Sequence, residues 1–453
     1  MALSLGTIWA VPLTLAAQET PPGELTLEEA LAIARNWNPG VRQAEQDLAL
    51  NGVEARATWA DQILPRVDLN LLRTGFAGNL TRRSTDFFGN PIENPGADWV
   101  FNSNTSQGIT LNWTIQGSNL FDARARQSRT NLNRRLRLDA AAWELEAEVR
   151  SRFFDALEQR ELLAVEEAIR TAREVDLESA RRLFQIAQRS RVDVLTAEVQ
   201  VERQELNVQE QRRRYEQALL LLGTSLGNSE MGAFHPAAPE LPSFDPAGLD
   251  VDVLVERALG ANPSLQESEG AVAGARLGVR EARQRWFPTL NLSYNYGRLA
   301  QTRQGDALFD LSLDEREMQS SFAIILSLPM FNTYFRDEAD EVRARVDLEN
   351  RREALREQRL EVERQVRTEL INLDNQHRSL AVAARSLELA GEAARLAREE
   401  YRLGTRTFEQ LQETVTQEAD ARRQIIQARY GFVDALLELE RVVGGRVLPP
   451  SGF

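Results

Sequence analysis

The chain of 453 residues contains no cysteine and no lysine, and only two histidines. Without cysteine there are no disulfides, no thiol catalysis, no sulfur-ligated metal and no lipid attachment through an N-terminal Cys. Without lysine there is no Gly-x-x-x-x-Gly-Lys phosphate loop, and no Gly-x-Ser-x-Gly elbow occurs either. His235 and His377 lie far apart, so a histidine-based metal cluster within one chain is not expected. His377 falls on a heptad seam between Leu373 and Leu380 and reads as packed or lumen-facing. After the first residues, no stretch approaches the ~20 apolar residues of a membrane helix. Any membrane crossing must use strands. Net charge is −14, with every basic residue an arginine and no basic block, which argues against nucleic acid as a partner.

What is present is 42% hydrophobic and 27% charged residues, in long Arg/Glu/Gln-rich tracts. That balance suits long exposed helices better than compact domains. Carboxylates are plentiful but read as solvated helix faces, so neither an enzyme nor a cofactor is expected. Residues 1–17 end in Ala16-Ala17 after an uncharged apolar run and resemble a secretory signal peptide without its basic region, the alternative being an apolar N-terminal helix.

From 18 to 223 the order is helix, strand, loop, strand, long helical hairpin. Thr26 and Glu29 offer a capping box, and Asn38-Pro39 interrupts the first helix. Val67, Leu69 and Leu71 alternate with Asp68 and Asn70 in a strand at 66–73; 74–106 is a loop by composition. A second strand spans 107–116, with Ile109, Leu111, Trp113 and Ile115 on one face. The hairpin covers 119–223 and turns at 187–191; its first arm of ~70 residues would span ~105 Å. On the return arm Val194, Ala197, Val201, Val208, Tyr215, Ala218 and Leu222 form a heptad seam, with Gln204 and Gln211 as polar members.

Residues 224–250 form a Pro-rich linker, and then the plan repeats over 251–445. Asn262-Pro263 matches Asn38-Pro39, strands fall at 289–297 and 320–328 around a loop at 298–319, and a hairpin at 332–443 turns at 404–407. Leu380, Ala383, Leu387, Ala390, Ala394, Ala397 and Tyr401 keep unbroken 3-4 spacing. Residues 446–453 form a tail. The two turns are copies: Arg189 and Arg406 are 217 apart (406 − 189), as are Ser190 and Thr407. Gly404 suits a φ > 0 helix stop, and Thr407 with Gln410 forms a capping box.

The fold class is therefore mixed α/β but mostly α, with two internal repeats. Strands with one apolar and one polar face carry the signature of an outer-membrane β-barrel. Four strands cannot close a barrel, and an open edge cannot sit in lipid, so several copies must share one; the pattern permits two copies or three. The alternatives are a soluble β-sandwich with coiled-coil arms, or a periplasmic coiled-coil scaffold without channel activity.

The duplicated plan, the Asn-Pro breaks and Tyr401-Arg402-Leu403-Gly404-Thr405-Arg406-Thr407 resemble the TolC-like outer-membrane efflux proteins, or outer membrane factors, from about Leu25 to Gly445. The resemblance implies a homotrimer with a 12-strand transmembrane barrel continuing into a periplasmic α-helical coiled-coil barrel. It further implies a Gram-negative outer-membrane location, with membrane lipid, a periplasmic adaptor (membrane fusion protein) and an inner-membrane pump as partners in tripartite efflux or type I secretion. It places a gate at Asp193, Tyr401 and Arg406, and an aperture ring at Gln410 and Glu413. Adaptor contacts fall on Ala187, Arg189, Ser190, Gly404, Thr405 and Thr407. Two departures stand out: Phe121-Asp122-Ala123-Arg124 replaces a double glycine, and Ala187 replaces a turn glycine.

Overall fold

The short helices begin and end at residues that satisfy their orphan backbone groups. Helix α1 (Leu27–Trp37) is opened by a complete Thr26/Glu29 capping box and ends at Asn38, whose ψ of 125° has left the helical region. The following Pro39 starts α2 (Pro39–Ile63), and Asn38 Oδ1 accepts from Gly40 N at 2.8 Å. One asparagine thus stops one helix and caps the next. Asn262 likewise ends α5 (Val251–Ala261), with ψ 122°, and Pro263 starts α6 (Pro263–Gln284).

The computed structural model describes residues 23–82, 88–91, 97–116, 119–227, 234–242, 244–303, 318–328 and 330–447. The expected signal segment 1–17, residues 228–233 of the linker, 304–317 of the second loop and 448–453 of the tail lie outside them. The remaining helices are α3 (Asn119–Gln185), α4 (Arg191–Ser225), α7 (Asn332–Leu403) and α8 (Phe408–Val443). The chain divides into two units, one built from 1–43, 138–262 and 361–453, the other from 44–137 and 263–360.

The second unit holds the sheet. Strands β2 (Arg66–Arg82), β3 (Ala97–Gln116), β5 (Thr289–Arg303) and β6 (Met318–Ser327) pair antiparallel in the order β2-β3-β5-β6. The strands run beyond the expected bounds: residues 74–82 and 97–106, read as loop, pair with each other from Thr74↔Thr105 to Arg82↔Ala97. Strand β5 likewise continues past 297 to Arg303. These extensions are rich in Gly, Asn, Ser and Thr, and the ladder bonds come from the backbone whatever the side chains. The apolar face stands open in the single chain, with Leu71 74% and Phe322 63% exposed. On the opposite face Thr114 Oγ1 donates to Asn291 Oδ1 at 2.8 Å. Helices beside the sheet are tied by arginine forks, Arg134 reaching Asn51 and Glu54, and Arg129 donating to the Gly270 carbonyl at 2.7 Å.

The first unit holds both hairpin turns, the return helices α4 and α8, and α3 and α7 from residues 138 and 361 onward. At its root Phe153, Leu157, Leu222, Leu226 and Phe234 are fully or nearly fully buried with Leu25, which pairs in the short parallel ladder β1·β4 (Glu24–Leu25 with His235–Pro236). Two backbone locks of the same design sit here. Asn38 Nδ2 donates to the Ser225 carbonyl and Asn262 Nδ2 to the Val442 carbonyl, at 3.1 and 2.8 Å. Beside them Gly227 and Gly444 take φ +84° and +74°, and a Cβ on either would meet the Trp37 or Ala261 carbonyl oxygen at 2.5 or 2.8 Å. Glycine is required at both. Arg150 and Glu440, 3% and 1% exposed, are bonded at 2.6 Å across α3 and α8, and Glu440 also accepts from Val447 N. His377 packs against Phe432 with ring centres 5.7 Å apart.

Candidate functional site

The hairpins turn at 186–190 and 404–407, and both turns use the same hydrogen bonds. Gly404 N donates to the Tyr401 carbonyl and Thr405 N to the Glu400 carbonyl. Ala187 N donates to the Phe184 carbonyl and Gln188 N to the Leu183 carbonyl. This is the Schellman closure, which demands φ > 0 at its fifth residue. Gly404 supplies it at φ 84°, whereas Ala187 is forced to φ 59°. The strain of a left-handed alanine is about 1–2 kcal/mol.

The N-caps differ more. Thr407 Oγ1 accepts from Gln410 N, and Gln410 Oε1 accepts from Thr407 N at 3.2 Å. Gln410, expected at the aperture, is thereby folded back onto its own turn. Glu413 is exposed, with no hydrogen bond or ion pair among the described residues. At the first turn Ser190 Oγ accepts from Asp193 N and donates to Asp193 Oδ1 at 3.0 Å.

Of the three expected gate residues, Tyr401 is 2% exposed in a core with Phe408, Leu411 and Val415, its ring 5.5 Å from Phe408. Its hydroxyl has no hydrogen-bond partner among the described residues. Burial pushes the Tyr401 phenol up to about 12, with the Asp193 charge adding and Arg189 opposing. Arg406 does not join them within the chain: it reaches back to Glu400 Oε2 at 3.2 Å.

The residue that ties the two turns is Arg189. Its Nη2 donates to the carbonyls of Tyr401 and Arg406 at 3.0 and 2.7 Å. Its guanidinium carbon lies 4.5 Å from the centre of the Tyr401 ring. Two charge-assisted bonds and a cation–π contact make this a direct polar link between the two turns. Sequence reading placed Arg189 on the turn surface; the signal for its role was its position as the repeat mate of Arg406.

Next to the apolar tip lies a charged layer that the sequence did not single out. Asp176, 6% exposed, faces Arg398 at 3.7 Å, and Arg398 also bonds Glu418 Oε2 at 3.1 Å. Burial pushes the Asp176 carboxyl up against the pull of Arg398 and Arg173. Gln204 and Gln211, the polar members of the seam, are buried and donate to Glu166 and Gln159.

Residues 254–445 match the family described as outer membrane efflux protein. That segment, under half of the chain, is similar to the outer membrane efflux proteins. Its fold is shared with a Pseudomonas aeruginosa membrane protein (TM-score 0.72, 18% identity, covering 93% of this chain and 90% of that one). It is also shared with the Campylobacter jejuni CmeC outer membrane channel (TM-score 0.72, 14% identity, 99% and 96%) and the OprN outer-membrane channel (TM-score 0.71, 18% identity, 92% and 90%). No curated protein matches the sequence. The last two of these structures are outer-membrane channels.

Proposed function

We propose that this protein is a passive exit duct, a homotrimer whose three sheets close one twelve-stranded barrel and whose hairpins form a periplasmic tube. The carrying observation is the open apolar face of the sheet, Leu71 at 74% exposed and Phe322 at 63%, on a chain whose four strands leave β2 and β6 with free edges. Such a face belongs against lipid, and such edges against further strands. The hairpins add a second argument. Val192, Val199 and Leu206 on α4, and Val382, Leu389, Leu396 and Leu403 on α7, recur every seven residues and are 47–78% exposed. Apolar stripes at heptad spacing call for neighbouring helices, which further copies supply. The matching Asn/Gly locks support descent of the two halves from one repeat.

In this reading the tip is the closed end, opened by the adaptor and pump. Asp193, held only by its own cap, and the unpartnered Tyr401 hydroxyl are free to bond across to a neighbouring protomer. There Arg406 can exchange Glu400 for Asp193. Glu413 would then line the aperture as a ring of three carboxylates. The test is single-channel conductance in planar bilayers: Asp193→Ala and Arg406→Ala are expected to raise it severalfold over wild type, and unchanged values would overturn the gate. Recovery from periplasmic extract as a soluble monomer, rather than as a heat-modifiable oligomer extracted by detergent, would overturn the duct and favour the scaffold.

A further inference from the structure

A cavity of about 340 Å³ opens between α3, α4 and α8, and no carboxylate lines it. In a chain of net charge −14 that is unexpected. Three arginines face it instead, one from each helix: Arg173, Arg203 and Arg423. Their side chains are not equivalently occupied. Arg423 is held by Glu166 at 2.5 and 3.1 Å and by Asp420 at 2.8 Å. Arg173 is 6% exposed, yet its direct partners are neutral acceptors, Gln412 Oε1 and, at 3.0 Å, Thr416 Oγ1. Arg203 is exposed and has no ion pair or hydrogen bond among the described residues. A buried guanidinium bonded directly only to neutral acceptors is costly, and Asp176 and Glu418 offset that cost only from a distance, which leaves room for a negative guest on the cavity side.

The remaining polar wall suits the same guest. Gln200, Arg203 and Asn207 lie at i, i+3 and i+7 of α4, and Thr416 and Arg423 share one face of α8. Amide and guanidinium donors converging from three helices match the several acceptor lone pairs of a tetrahedral anion. The guest would also add to the partial compensation of Arg173, whose proton affinity burial lowers, with Arg398 and Arg423 adding and Asp176 and Glu418 opposing.

We propose that this cavity binds a small oxyanion of the phosphate or sulfate class, which braces the two hairpins to each other through α3, α4 and α8. The proposal is independent of how the duct opens or what it carries.

The full chain, purified in detergent with its native oligomer intact, is dialysed against radiolabelled inorganic phosphate at fixed ionic strength. One phosphate per chain is expected, displaced by sulfate but not by chloride. Arg203→Ala, at an exposed position that holds no other contact, should weaken binding at least tenfold while leaving the oligomer and its unfolding temperature in phosphate-free buffer unchanged. Asn207→Leu should weaken it severalfold. Equal displacement by chloride, or binding unchanged in Arg203→Ala, would show general ion screening and overturn the site. No uptake at any concentration would mean that the cavity is closed by a carboxylate of a neighbouring copy, and overturns it equally.

Discussion

The turns at Ala187 and Gly404 share one hydrogen-bond scheme yet are stabilised by different means. The second is locally complete, with glycine where φ is positive, a reciprocal capping box, and an arginine returned to its own helix. The first is strained at Ala187 and only half boxed at Ser190, but it exports Arg189 to hold its partner. Duplication therefore left one turn that stands alone and one that leans on it. The lesson is that equivalent positions in a repeat need not carry equivalent energy.

The sharpest way to break this comparison is to remove the exported link. Arg189→Ala should cost about 2–3 kcal/mol, since it deletes two charge-assisted bonds and a cation–π contact. Its repeat mate Arg406→Ala should cost under about 1 kcal/mol, because the pair with Glu400 is largely exposed. Denaturant midpoints of the two variants would read the difference, and equal losses would erase the asymmetry. A smaller contrast exchanges the turn residues. Gly404→Ala should destabilise by about 1–2 kcal/mol, and Ala187→Gly should stabilise by about 1 kcal/mol. Opposite signs are the expected outcome.

The smallest effect is one of pH, and it again separates the halves, since Glu158 stands where the second half has Asn375 (158 + 217). Burial, reinforced by Asp155 and Asp434, pushes the Glu158 carboxyl from 4.5 up to about 7. A carboxyl raised in the folded state favours folding while protonated. Its contribution is thus intact below pH ~4.5 and lost as pH rises through about 7. Glu158→Gln should raise the unfolding temperature by about 1–2 °C at pH 8 and leave it unchanged at pH 4. A shift of the same size at both values would point to packing instead.

Much of the fold could be read from the residues. The Asn-Pro breaks, the heptad seams with Gln204 and Gln211, and the stop at Gly404 are local patterns with local causes. Strand ends were not legible: Gly, Asn, Ser and Thr crowd 74–82 and 97–106, and they masked Phe76, Leu80 and Trp99, which share one face of fully paired backbone. At the tip, Thr407 and Gln410 announced their cap through spacing alone. Arg189 announced itself only as the repeat mate of Arg406, because a guanidinium bonding to backbone carbonyls leaves no trace in residue types. Arg173 and Asp176 read as solvated faces of a helix, and only packing against α4, α7 and α8 makes them interior.

The four left-handed residues of the hairpins are spaced identically. Ala187 to Gly227 and Gly404 to Gly444 are both 40 residues (227 − 187 and 444 − 404). The root locks pin one end of each return helix and the Arg189 brace pins the other. These arms therefore act as matched rulers. Deleting one residue from either would shorten it by ~1.5 Å and turn its tip by ~100° about the helix axis, carrying Arg189 away from both carbonyls. Length change in this protein must come in paired, whole-heptad steps, so the reach of the hairpins is fixed in discrete increments rather than drifting residue by residue.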